Sequence, residues 1–209
     1  MAPALLLAAA LPAGAQEPPA RPSQCHYIYT VWNVKAKRSL ARRSVAKPYS
    51  QLTEDEKGPF GCTPCEEDQT EVMLSDGLRF KACREVAAQV REALENSLSE
   101  GQRIVSIVGY RPQMSKGPVD KHGDRTQLSN HSFGAAVDLN EEYNGLYNNC
   151  TAWGRICVLA KGGPYRPEHE LSLKESSPAV KHMKKAGFEW GGKIKGRQKD
   201  FMHFSPTGY

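Results

Sequence analysis

Ser129-Asn130-His131-Ser132-Phe133-Gly134-Ala135-Ala136-Val137-Asp138 carries more structural information than any other run of this chain. A histidine and an aspartate bracket a short apolar run, seven residues apart, which along a helix would set them roughly 10 Å from each other, too far to share one ion. A loop histidine entering a strand that ends in aspartate can double back over one ion. Asp200-Phe201-Met202-His203-Phe204 adds a second imidazole and a spare carboxylate at a strand edge. Two imidazoles and one carboxylate suit zinc, whose catalytic sites keep a fourth position open for water. His131, Asp138 and His203 are therefore the expected ligands of one Zn2+ ion. Asp200 is the expected base beside its water, whose pKa zinc lowers towards about 7. Arg111, in Gly109-Tyr110-Arg111-Pro112, is placed to steady a carbonyl oxygen that gains charge, or to grip a substrate carboxylate as a fork.

Outward from these motifs the pattern mixes helices and strands. Residues 80–98 repeat Ala82, Val86, Val90, Leu94 and Leu98 every four positions, which predicts a helix that Gly101 ends. Residues 103–108 read as a buried strand, 113–126 as a polar loop, and 133–139 as a second strand. Residues 141–173, rich in Gly, Asn and Pro, read as a long rim insertion. Residues 177–186 predict a short helix with Pro178 in its first turn and Gly187 at its end. The last strands are expected at 188–190 and 201–204. Nearer the start, residues 27–34 have strand chemistry. The basic run 35–47 reads as a solvated surface, with adhesion to an anionic wall polymer as the sharper alternative.

The bulk numbers set bounds. The 209 residues suit one domain with an N-terminal extension, and 39% hydrophobic with 24% charged content is globular. A net charge of +5 falls short of a nucleic-acid-binding signature. Residues 1–15 read as a secretory signal ending in Ala13-Gly14-Ala15, although no Lys or Arg precedes the apolar core. No segment is expected to cross a membrane. Six cysteines fit export to an oxidising compartment. Cys150 and Cys157 are the best local pair. Cys62 and Cys65 have the spacing of a redox pair or half a zinc knuckle, but the Pro/Gly-rich loop before them favours a structural role. A zinc cluster of Cys25, Cys62, Cys65 and Cys83 is the minor alternative.

Ser129-x-His131-x-x-Gly134-x-Ala136-x-Asp138 followed by Asp200-x-x-His203 resembles the zinc D-alanyl-D-alanine carboxypeptidase family, which includes VanY-type carboxypeptidases, D-Ala-D-Ala dipeptidases and phage L-alanyl-D-glutamate endolysins. Gly109-Tyr110-Arg111 and Trp190-Gly191-Gly192 resemble its flanking segments. The likeness runs from about residue 105 to 204. It implies an α+β fold, with a small antiparallel sheet and flanking helices cradling the zinc. It implies His131, Asp138 and His203 as ligands, Asp200 as acid/base and Arg111 as the transition-state arginine. Ser129, Trp190 and Arg111 are the candidate substrate-binding residues. Asp at 200 departs from the Glu of many members and needs a closer water. The disulfide-containing extension, residues 16–80, matches nothing in that family, and residues 81–209 form the expected peptidase domain.

The function expected is an exported, wall-associated zinc peptidase cutting peptidoglycan stem peptides, by release of terminal D-alanine or as an L-alanyl-D-glutamate endopeptidase. A non-catalytic wall-peptide- or protein-binding module on the same scaffold is the alternative. A redox protein using Cys62 and Cys65 comes third.

Overall fold

Alternation decides the first element. From Gln24 to Asn33 every second residue is buried, so β1 (Gln24–Asn33) shows one face to an apolar cluster and the other outward. The computed structural model describes residues 23–209, and the secretory signal expected over residues 1–15 lies outside them. β2 (Arg38–Pro48) returns antiparallel as an edge strand and carries the basic run on its exposed side chains. Charge on an edge strand discourages further pairing. Cys25, Tyr27, Tyr29, Val31 and Cys65 form the small cluster beneath.

β3 (Gln69–Met73) and β4 (Arg79–Cys83) make a hairpin that runs straight into α1 (Arg84–Ser99). The helix therefore starts later than its four-residue repeat predicts. Phe80 and Ala82 point inward with the period of a strand, opposite Val72 and Thr70. Val86, Val90 and Leu94 then supply the buried helical stripe. The strand expected over 103–108 contracts to β5 (Ile107–Val108), because the Asn140 side chain takes the amides of Val105 and Ser106.

The loop expected over 113–126 is mostly a hairpin. β6 (Gln113–Val119) lies parallel to β1 and pairs with β7 (Arg125–Leu128) across a turn held by Asp120 Oδ1, which accepts the amides of His122 and Asp124. None of its strand residues is fully buried, so it leaves no apolar alternation to read.

β8 (Val137–Leu139) is shorter than the strand expected over 133–139, since a 3-10 turn occupies Asn130–Phe133. Residues 141–173, expected as a rim insertion, hold β9 (Leu146–Asn148) and β10 (Val158–Lys161). α2 (Pro178–Lys185) starts on Pro178 and is followed by left-handed Gly187. β11 (Glu189–Trp190), β12 (Gln198–Asp200) and β13 (His203–Ser205) complete the chain. The site rests on the antiparallel sheet β11-β13-β8-β5, and β12 joins β9 and β10 in a second sheet. The main core lies between α1 and α2 on one side and Val137, Leu139, Phe188 and Phe204 on the other. The architecture is α+β, with small antiparallel sheets and two helices among the described residues.

Three disulfides join Cys25 to Cys65, Cys62 to Cys83 and Cys150 to Cys157. The local pair forms as its spacing predicts. Cys62 and Cys65 do not bond each other; each is committed to a distant partner and no cysteine is free. That removes both the redox pair and the cysteine zinc cluster.

Candidate metal centre

Strand register builds half of the site. Asp138 lies in β8 directly opposite His203 of β13, so both side chains leave the sheet on one face. His131 reaches the same place through the 3-10 turn. Ser129 and Ser132 fasten that turn to β6: the Ser129 amide donates to Gln113 O (3.0 Å), and the Gln113 amide donates to Ser132 Oγ (2.9 Å). Gly134 ends the turn in the left-handed region (φ 64°) and sends the chain into β8. An added Cβ there would overlap Gln69 Oε1 and stand 2.5 Å from the Cys83 amide nitrogen. The glycine of the motif thus serves both a turn and a close approach.

The three ligand atoms form a tight triangle. His131 Nε2 is 3.0 Å and His203 Nδ1 is 2.8 Å from Asp138 Oδ1, and the two nitrogens are 3.2 Å apart. Ligands about 2.0–2.1 Å from a tetrahedral zinc stand roughly 3.3 Å from one another, close to this triangle. The tautomer also fits a cation. His131 Nδ1 donates to the Gly109 carbonyl (2.8 Å), so in the neutral ring Nε2 is a bare acceptor. An acceptor nitrogen 3.0 Å from a carboxylate oxygen calls for positive charge between them. All three residues are buried. Burial alone would raise the Asp138 carboxyl, but the two imidazoles outweigh it and hold that carboxyl well below its usual range. Burial lowers His203 against the pull of Asp138. An ionised carboxylate beside a neutral imidazole is the protonation state that a metal requires. Among the described residues this is the one His/Cys/Asp/Glu cluster with ligand atoms mutually within reach, 4.8 Å.

Asp200 ends β12, three residues before β13 begins. Its Oδ1 is buried without a hydrogen-bond partner. Burial, and then the charge of Asp138, push its carboxyl up to about 8. Arg111 is tied to the histidine turn by its amide, which donates to His131 O (2.9 Å), while its Nε is buried and unpartnered. Ser129 is buried and its hydroxyl faces Ser132 Oγ at 3.2 Å, which places it in the scaffold of the turn. Trp190 pairs with Phe204, the neighbour of His203, so its ring lies on the other face of the sheet from the imidazole. Its indole donates to Phe201 O (2.8 Å), and it lines a cavity of about 610 Å³ beside Trp153 and Tyr165.

The remaining histidines stay apart from the cluster: His26 bonds Glu67, His182 bonds Glu100, His169 stacks on Tyr143 and the His122 amide closes a turn. Sequence reasoning missed Lys116 of β6, whose charge acts on Asp200 and Asp138. Lys161 and Glu141 also act on Asp200. None of these belongs to a motif, and no sequence signal marks them.

Residues 122–206 match the family model described as D-alanyl-D-alanine carboxypeptidase, the family to which the motifs point. The matched segment contains His131, Asp138, Asp200 and His203, and begins after Arg111. No curated protein and no solved structure matches the chain. The match supports a peptidase of a metal-dependent, peptidoglycan-acting family. The disulfides fit an oxidising compartment. No helix among the described residues is long and apolar enough to cross a membrane.

Proposed function

We propose that this chain is an exported zinc peptidase that hydrolyses peptide bonds in peptidoglycan stem peptides, releasing terminal D-alanine. The observation that carries this reading is the convergence of two neutral-capable imidazoles and one ionised carboxylate in a buried triangle, beside a second carboxylate with no partner. His131, Asp138 and His203 would hold the ion. When bound, it supplies Lewis acidity and a water of lowered pKa.

The remaining chemistry belongs to the protein. Asp200 accepts the proton of the attacking water and returns it to the leaving amine. Its burial supports both roles, since a carboxylate short of hydrogen bonds is a stronger base than one in solvent. A cation bound by Asp138 would cancel the charge that helps to raise Asp200, leaving burial as the main cause. Arg111, with an unpartnered Nε, is available to the oxygen that gains charge on the scissile carbonyl. Gly109 fixes the tautomer of His131 through its carbonyl.

The test is incubation of the purified chain with defined pentapeptide muropeptides, with zinc and after chelation, read by product mass. Zinc-dependent loss of one alanine supports the reading. Loss of L-alanine-linked fragments redirects it to an endopeptidase. A folded, zinc-loaded sample that binds peptide and cuts nothing overturns it in favour of a binding module.

A further inference from the structure

We infer that Lys116 is a substrate-binding residue that captures a free carboxylate of the peptide, leaving Arg111 for the scissile carbonyl; this rests on the peptidase reading above. Lys116 lies in β6, outside every motif. It is half-buried, and its Nζ stands 4.6 Å above the centre of the Tyr209 ring. The main chain of Tyr209 is tied to the histidine turn and to β13, because Tyr209 O accepts from Asn130 Nδ2 (2.6 Å) and from Ser205 Oγ (3.1 Å). The ammonium therefore lies over a residue anchored to the ligand-bearing turn and to β13.

Two observations separate carboxylate capture from a role in holding Asp200. The charge of Lys116 acts on Asp200, Asp138 and His203, so it belongs to the site. Yet Asp200 Oδ1 has no hydrogen-bond partner, and neither Asp200 nor Asp138 forms an ion pair with Lys116 among the described residues. A half-buried ammonium without a bonded counter-ion has donors to offer an incoming anion. Neighbouring Arg125 spends Nη1 on the Gly117 carbonyl (2.5 Å), and its charge acts on Lys116. Lys161 is paired with Glu141 (3.3 Å). Lys116 is thus the cation near Asp200 best placed to meet a carboxylate, the group that stem peptides carry at their free end.

The test uses the metal-loaded chain carrying Asp200→Asn, so that ligand survives the measurement. Calorimetric binding of N-acetyl-D-alanyl-D-alanine and of its C-terminal amide is compared with Lys116 intact, as Lys116→Met and as Lys116→Arg. The expected result is acid bound about tenfold or more tightly than amide with Lys116 intact. Lys116→Met should lose about ten- to a hundredfold on the acid and leave the amide within about twofold, while Lys116→Arg keeps most of the preference. Equal binding of acid and amide by intact Lys116, or binding of neither, overturns the proposal without any variant. So does Lys116→Met weakening both alike. Muropeptide cleavage without an acid preference sinks this inference alone. An acid preference that Lys116→Met abolishes, in a protein with Asp200 restored that cuts no muropeptide, sinks the peptidase reading alone.

Discussion

Replacing Gly134 by alanine probes how the histidine turn is locked to the segment before α1. Two costs add. A Cβ in the left-handed region costs about 1–2 kcal/mol, and Gly134 has φ 64°. The new methyl also meets the Cys83 amide at 2.5 Å and overlaps Gln69 Oε1. Neither neighbour yields easily: the Cys83 amide donates to Gly134 O (2.9 Å), Cys83 is bonded to Cys62, and Gln69 Nε2 donates to the Thr63 and Cys65 carbonyls. Such overpacking costs about 1–3 kcal/mol. The sum, about 2–5 kcal/mol, lowers the Tm of a domain this size by roughly 4 to 20 °C. Gly101→Ala is the matched control, since Gly101 is also left-handed (φ 85°) but has nothing within 4 Å of its added Cβ. It carries the backbone cost alone, about 1–2 kcal/mol. Differential scanning calorimetry of both variants decides. If Gly134→Ala melts no lower than Gly101→Ala, the close approach is not what the glycine serves.

Asp200→Asn should retain metal while kcat on muropeptide falls about 10²- to 10⁴-fold, checked by metal analysis beside kinetics. Cysteine-to-serine pairs should destabilise in order of loop length. On the chain-entropy model the separations of 40 (Cys25–Cys65), 21 (Cys62–Cys83) and 7 (Cys150–Cys157) correspond to about 3.9, 3.3 and 2.4 kcal/mol, read by urea unfolding. Glu56 gives the chain an acid-sensitive post. Burial would raise its carboxyl, but hydrogen bonds from Lys47, Tyr27 and Thr53 carry it down from 4.5 to about 2. A depressed carboxyl stabilises fully above its unfolded value and loses that contribution as pH falls through the folded one. The stability gap between wild type and Glu56→Gln should therefore be constant above about pH 5 and shrink towards pH 2, which urea midpoints across that range would show.

The candidate site was legible in the sequence because its residues sit in short motifs with few alternatives. The turn histidine, the strand aspartate and the Asp-x-x-His end converge as a doubling-back strand predicts. What the sequence hid has physical causes. The β6–β7 hairpin is stabilised by its backbone ladder and by β1, so its polar side chains announce nothing. The β4–α1 junction places residues of strand period directly before residues of helical period, and Ala82 fits both. The Cys150–Cys157 pair is local and readable from spacing, whereas Cys62 and Cys65 take partners that only the folded hairpins bring near. Lys116 joins the site through tertiary packing alone.

The proposed chemistry depends on one ion shared by His131, Asp138 and His203. Elemental analysis of the purified, zinc-equilibrated chain, paired with His131→Ala and His203→Ala, tests it directly. One zinc per chain is expected in the wild type, and none in either variant. A wild type that binds no metal, or variants that keep their full complement, would contradict it.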